Sequence, residues 1–132
     1  MLLRFTVRCV LAWACFAGLA GCQREVETEV SGRVKIDGVP LTEGEIIFEA
    51  ENQDATPEAA EIAQGQYLIK VAPGKKVVRI NASRPTKIPD PVMGSAAREA
   101  MIEPEFNLES TLKIEVKPGK QSGVDFEVRG IP

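Results

Sequence analysis

From Val26 to Ile36 the chain alternates without a break. Val26, Thr28, Val30, Gly32, Val34 and Ile36 share one parity, and Glu27, Glu29, Ser31, Arg33 and Lys35 share the other. Period two over this length admits a strand with one buried face and little else, because a helix would scatter the same residues around its circumference. The pattern then recurs. Gly44-Glu-Ile-Ile-Phe-Glu49 is β-branched and aromatic, and Tyr67, Ile69 and Val71 line one face of the segment from Gly65. Val78, Ile80 and Ala82 do the same after Lys76. Leu112, Ile114 and Val116 follow, and Val124, Phe126 and Val128 alternate with Asp125, Glu127 and Arg129. Ala59–Ala63, in an acidic, Ala-rich stretch broken by Pro57, suits a weak strand or a short helix, with the strand preferred.

Turn chemistry divides these segments. Asp37-Gly38 closes the first. Ala72-Pro73-Gly74-Lys75 and Lys117-Pro118-Gly119-Lys120 each place Pro second and Gly third, the type II pattern, and predict two strand–turn–strand hairpins with antiparallel pairing. Residues 83–110 differ. Pro85, Pro89, Pro91 and Pro104 exclude a continuous central strand, while Ser95–Ile102 has a helix-forming composition about two turns long. A connection of this length is either a surface crossover or a functional segment. About seven short strands and no long helix predict an all-β, single-domain, antiparallel β-sandwich, with a small barrel as the alternative that parity does not separate from it.

The first 21 residues obey other rules. They carry Arg4 and Arg8 and no acidic group, and Val10 to Ala20 are apolar or small throughout. A basic start, an apolar stretch of about 7–15 residues and a small-residue exit is the layout of a secretory signal peptide; the run falls short of the roughly 20 apolar residues that span a bilayer. Leu19-Ala20-Gly21-Cys22 resembles a bacterial lipobox, whose cysteine thiol takes a diacylglyceryl group before the peptide is cut in front of it. Of the three cysteines, Cys9 and Cys15 leave with the signal and Cys22 survives alone, so the mature domain has no internal disulfide. A thioether-linked diacylglyceryl with an amide-linked acyl chain such as palmitate gives the multiple-chain anchoring that one acyl chain cannot. The expected organisation is a signal peptide at 1–21, a lipidated tether at 22–28 and the β-domain at 29–129.

Loss of residues 1–21 removes two positive charges and takes the formal net charge from −3 to −5. Mixed signs and no basic stripe argue against a nucleic-acid partner. The chain has no histidine, which excludes Ser-His-Asp and Cys-His catalysis and histidine-based metal ligation. Asp37, Asp54 and Asp90 are too isolated for a calcium loop. Glu25, Glu27 and Glu29 read as a solvated strand face, and Gly44, Gly65 and Gly74 sit singly at turns rather than in a phosphate loop. No catalytic residue, metal or cofactor is expected. The only tryptophan, Trp13, lies in the signal segment, so no indole platform remains for sugars. Phe48, Tyr67 and Phe126 fall in strand patterns, while Phe106 lies in the irregular segment beside Pro104 and either plugs the end of the domain or faces a ligand. Phe106, Asn107 and Tyr67 are the candidate binding surface.

Taken together, Val30-Ser-Gly-Arg-Val-Lys-Ile-Asp-Gly-Val-Pro-Leu41 and Gly44-Glu-Ile-Ile-Phe48 resemble the opening of bacterial carboxypeptidase regulatory-like domains, V-x-G-x-V-x-x-D/N-G-x-P-L followed by G-x-V-x-F. The likeness continues through Gly65-Gln-Tyr67, Pro73-Gly74-Lys75, Ile102–Asn107, Ser110-Thr-Leu112 and Val116–Gly119, nearly all of 26–129. One departure stands out. Glu61-Ile-Ala-Gln-Gly-Gln-Tyr67 occupies the place of a D-x-x-G-x-Y run and lacks its aspartate. The resemblance implies a seven-stranded, transthyretin-like or immunoglobulin-like sandwich without catalytic residues, carried by a small lipoprotein as a binding or accessory module. Its expected partners are the membrane, through lipid on Cys22, and an envelope protein or glycan. Gln23 is not the aspartate that retains lipoproteins at an inner membrane, so the outer membrane is the expected location, on either face. A structural spacer, or an enzyme working through paired carboxylates, are the alternatives.

Overall fold

The computed structural model describes residues 26–132; the expected signal segment and lipobox, with Cys22, lie outside the described residues. Eleven strands succeed one another, several of them only two or three residues long, in place of about seven. They are β1 (Thr28–Ile36), β2 (Val39–Pro40), β3 (Glu43–Ala50), β4 (Glu58–Ala63), β5 (Gln66–Val71), β6 (Gly74–Asn81), β7 (Ser83–Pro85), β8 (Arg98–Ala100), β9 (Lys113–Val116), β10 (Lys120–Gln121) and β11 (Phe126–Val128). A short 3-10 helix, Pro104–Phe106, is the sole helical turn among the described residues.

The main sheet runs β10–β1–β5–β4–β3–β6–β9, with β2 and β11 also paired to β1. It curls until its flanks share one core. Val30 and Val34 of β1, Ile69 and Val71 of β5, Ile46 and Phe48 of β3, Val78 and Ile80 of β6, and Val128 of β11 all belong to a single buried cluster. In β1, β5, β6 and β11 these are the parities read from the sequence, and the stretch preferred as a strand forms β4, with Ile62 buried. Val26 is the exception; it lies outside β1 and is 61% exposed. The strands and the core fall within 28–130, so residues 26–132 close a hydrophobic core of their own.

Strand pairing departs from expectation in two ways. Antiparallel ladders dominate, but β1 takes both β10 and β11 in parallel, Glu29 opposite Lys120 and Val34 opposite Phe126. Nor are the two Pro-Gly segments hairpins. β5 pairs with β1 and β4, while β6 pairs with β3 and β9; Ala72-Pro73 therefore carries the chain between strands that are not neighbours. Gly74, at φ +133°, is also far from the value near +80° that a type II turn needs. Lys117–Gly119 likewise leads from β9, beside β6, to β10, beside β1. The Asp37-Gly38 turn does form as read. Both residues have positive φ, 50° and 83°, the type I′ signature, and Ile36 pairs with Val39 across it.

Register defines two ends. Thr28 faces Val71 and Gly74 faces Val116 at the end where the chain enters from residue 26. Asn81 faces Glu45 at the other, with the β4–β5 turn at Gln64-Gly65. Beyond Asn81 the chain leaves the main sheet and forms a separate two-stranded arm, β7 with β8, Ser83 opposite Ala100 and Pro85 opposite Arg98. Ser95–Ile102, whose composition suits a helix, forms none; residues 98–100 are extended in this arm.

Candidate functional site

Of the candidate binding residues, Tyr67 is core. It is 4% exposed, its ring lies 6.3 Å from both Phe48 and Phe126, and its hydroxyl donates to the Val124 carbonyl at 2.7 Å. Burial, and next the charge of Asp125, push that hydroxyl's pKa up. Phe106 ends the 3-10 helix half-buried against the core. The Arg129 guanidinium sits 5.7 Å from its ring centroid and is held there by Glu103 at 3.1 Å and by Glu105. Phe106 is thus capped by a clamped cation. Asn107 is half-buried beside it, its amide 3.4 Å from the Asn81 side-chain oxygen. Phe106 and Asn107 come together at the root of the arm; Tyr67 is elsewhere, in the interior.

The arm itself offers more. At its base Arg84 donates to Glu99 at 2.7 Å, and Arg98 clasps Ser83 through its hydroxyl at 2.8 Å and its carbonyl at 2.7 Å. Thr86 N–H reaches the Ala97 carbonyl at 3.0 Å and continues the ribbon past β7. At the tip, Asp90 and Gly94 exchange backbone bonds of 3.2 and 2.8 Å. The Asp90 carboxylate accepts the N–H groups of Val92 and Met93 at 2.8 and 2.9 Å, an Asx-type turn. Those two bonds hold the Asp90 carboxyl below its usual pKa. The result is an ordered turn that points its side chains outward: Ile88 is 81% exposed, Val92 92% and Met93 63%. Whereas Val39, Leu68 and Leu108 are exposed singly, three large apolar side chains are thus exposed here within six residues. The sequence pattern missed them because they follow no period; the one available signal was apolar residues packed between prolines where no strand can run.

The clefts carry less chemistry. One, of about 550 Å³, lies at the far end between Ala50–Ala55 and Ala72–Lys76. Lys76 is buried there, at 3% exposed, and contacts Glu58 at 3.3 Å. On the outer face Glu45 stands directly opposite Glu61, with no cation within ion-pair distance of either among the described residues. No group of three metal-binding side chains occurs among the described residues. Glu51 and Asp90 have depressed carboxyl pKa values, Glu51 through its bond to Lys113 and Asp90 through backbone N–H groups. Both shifts run opposite to that of an acid kept protonated for catalysis. No family model matches the chain, and neither a curated protein nor a solved structure matches it.

Proposed function

We propose that this chain is a non-catalytic, lipid-anchored module of the bacterial cell envelope that holds a partner through the β7–β8 arm. The observation that carries the reading is the arm tip, where Ile88, Val92 and Met93 face solvent on an internally bonded turn. Two further features support it. The curled sheet around one core, with Pro-Gly connections between non-neighbouring strands, fits a transthyretin-like sandwich of the carboxypeptidase regulatory-like kind. The lipobox places the anchor on Cys22, and the chain enters the domain at Thr28, the end opposite the arm. Anchored in this way, to the outer membrane on the Gln23 argument, the module presents its arm away from its tether. An envelope protein or glycan is the partner class implied by the resemblance.

In-cell photo-crosslinking tests this reading, with a photoreactive residue at position 88 or 92 of the full chain, in the native background and with Cys22→Ala. A discrete adduct that depends on both the arm position and Cys22 is the expected result. A wild-type chain that sits in the membrane yet yields no adduct leaves a structural spacer as the better account. A wild-type chain recovered soluble and unlipidated removes the anchor.

A further inference from the structure

The turn at the arm tip spends its own hydrogen-bond donors. Pro89 and Pro91 have no N–H. The N–H groups of Asp90 and Gly94 bond each other's carbonyls, and those of Val92 and Met93 bond the Asp90 carboxylate. From Pro89 to Gly94 every backbone donor is therefore satisfied inside the turn. Lipid tails offer no partner for a stray donor, and this turn presents none; the Pro89, Pro91 and Val92 carbonyls, which accept no protein hydrogen bond among the described residues, restrict it to the level of the headgroups and the acyl boundary. Ile88, Val92 and Met93 face outward together with Pro89 and Pro91, an apolar tip. It carries no aromatic ring on which a sugar could stack.

Charge points the same way. Residues 83–100 hold Arg84, Lys87 and Arg98 against Asp90 and Glu99, one net positive charge on a chain whose total is −3. Glu99 is bound to Arg84 and the Asp90 carboxylate is turned into its own loop. Lys87 is exposed and faces no acid within ion-pair distance among the described residues, whereas Arg98, at the base, lines a cleft with Glu43, Glu45 and Glu61. An apolar tip with the unneutralised Lys87 beside it complements a surface that is hydrocarbon beneath and anionic on top.

We propose that the arm inserts Ile88, Val92 and Met93 shallowly into an anionic lipid surface, with Lys87 at the headgroups. This rests on the reading that the arm is the module's recognition element, and it names the partner at the tip as lipid. The eight residues of β6 alone separate the arm from the tether end by about 26 Å. The insertion is thus a second attachment point, remote from the first, and it fixes the module's orientation as one attachment cannot.

Residues 26–132, which close their own core, allow a test free of the acyl anchor. Trp13 lies outside this span, so Val92→Trp supplies a sole indole at the tip and Val26→Trp a control at the far end. With vesicles of phosphatidylglycerol and phosphatidylethanolamine, the Val92→Trp protein is expected to co-sediment and its emission to shift to the blue, while the Val26→Trp emission stays put. Val92→Asp with Met93→Asp weakens partitioning by about tenfold or more, because two inserted side chains become charged. Lys87→Glu weakens it by about fivefold or more. No sedimentation or blue shift with a folded Val92→Trp protein overturns the proposal, and equal binding to phosphatidylcholine overturns its electrostatic half. If vesicles are ignored while position 92 still traps one protein in cells, the recognition reading stands and the lipid partner falls. Silence in both experiments removes both.

Discussion

A Cβ on Gly32 would stand 1.8 Å from the carbonyl oxygen of Val124. The returning C-terminal chain crosses β1 at this point, with Val124 N–H on the Ser31 carbonyl at 3.1 Å and Arg33 N–H on the Asp125 carboxylate at 2.8 Å. Gly32→Ala must push β1 and the 122–125 segment apart, and is expected to cost about 3 kcal/mol in urea unfolding; a cost near zero means that the crossing is looser than drawn. Lys76 and Glu58 make a contrasting pair. The Lys76 ammonium is almost wholly buried, while Glu58 is partly exposed and also accepts the Ala72 N–H at 3.2 Å. Glu58→Gln leaves the ammonium without its counter-charge and is expected to cost about 1–3 kcal/mol. Lys76→Met removes the need for one and is expected to be near neutral. Equal losses from both changes contradict this assignment. Asp90 sets a pH dependence. Its folded carboxyl titrates below the ordinary value of 3.8, so its hold on the turn is complete above that value and is lost as pH falls through the lower folded one. The amide proton shifts of Val92 and Met93, followed by NMR, are expected to titrate together in acid with a midpoint below 3.8; a midpoint at or above it refutes the Asx turn.

At the scale of elements, the legible part of the fold is direction and the illegible part is partnership. Parity told which side chains of β1, β5, β6 and β11 point inward, since each strand's alternation is written in its own residues. It could not tell that β5 and β6 lie apart, because Pro73-Gly74 suits a hairpin and a crossover alike. The same holds at Pro118-Gly119. Nor does parity reveal parallel pairing, which depends on where a chain returns from. In β8 the helix-forming composition of Ser95–Ile102 lost to tertiary pairing: Arg98–Ala100 lie against Ser83–Pro85, and Glu99 binds Arg84 across the ribbon. The candidate site divides in the same way. Phe106 and Asn107 could be singled out because an aromatic in a Pro-rich segment is conspicuous, but the clamp on Phe106 comes from Arg129, a neighbour only in space. The arm is separable from the core by this account. Replacing residues 86–97 with Asn-Gly, a two-residue type I′ turn between Pro85 and Arg98, is expected to change stability by about 1 kcal/mol or less, chiefly the burial of Ala97. A collapse of the cooperative transition means that the arm is part of the fold rather than an appendage.

For the whole molecule, β1 is the strand on which closure depends. It pairs with β5 on one side and with β10 and β11 on the other, and those last strands arrive from some 90 residues along the chain. β11 brings Val128 into the core, and the chain end is tied down further by the Ile102–Gly130 bridge and by Ile131 N–H on the Met101 carbonyl at 2.8 Å. Contacts this distant in sequence form late and slowly, since their loop entropy is lost before their burial is gained. With no disulfide possible inside residues 26–132, the curled sheet has only this last segment to complete it. A chain ending at Gly119 retains every strand of the β3–β6–β9 flank, yet it leaves Val30 and Val34 without their neighbours on one side of β1. Such a chain is expected to lose cooperative urea unfolding and to bind a hydrophobic dye, although most of its strand sequence is intact. The 26–132 chain should show a single transition with refolding in milliseconds to seconds, the range for folds dominated by non-local pairing. If the truncated chain unfolds as sharply as the longer one, β1 is held by β5 alone and the C-terminal strands are an accessory edge.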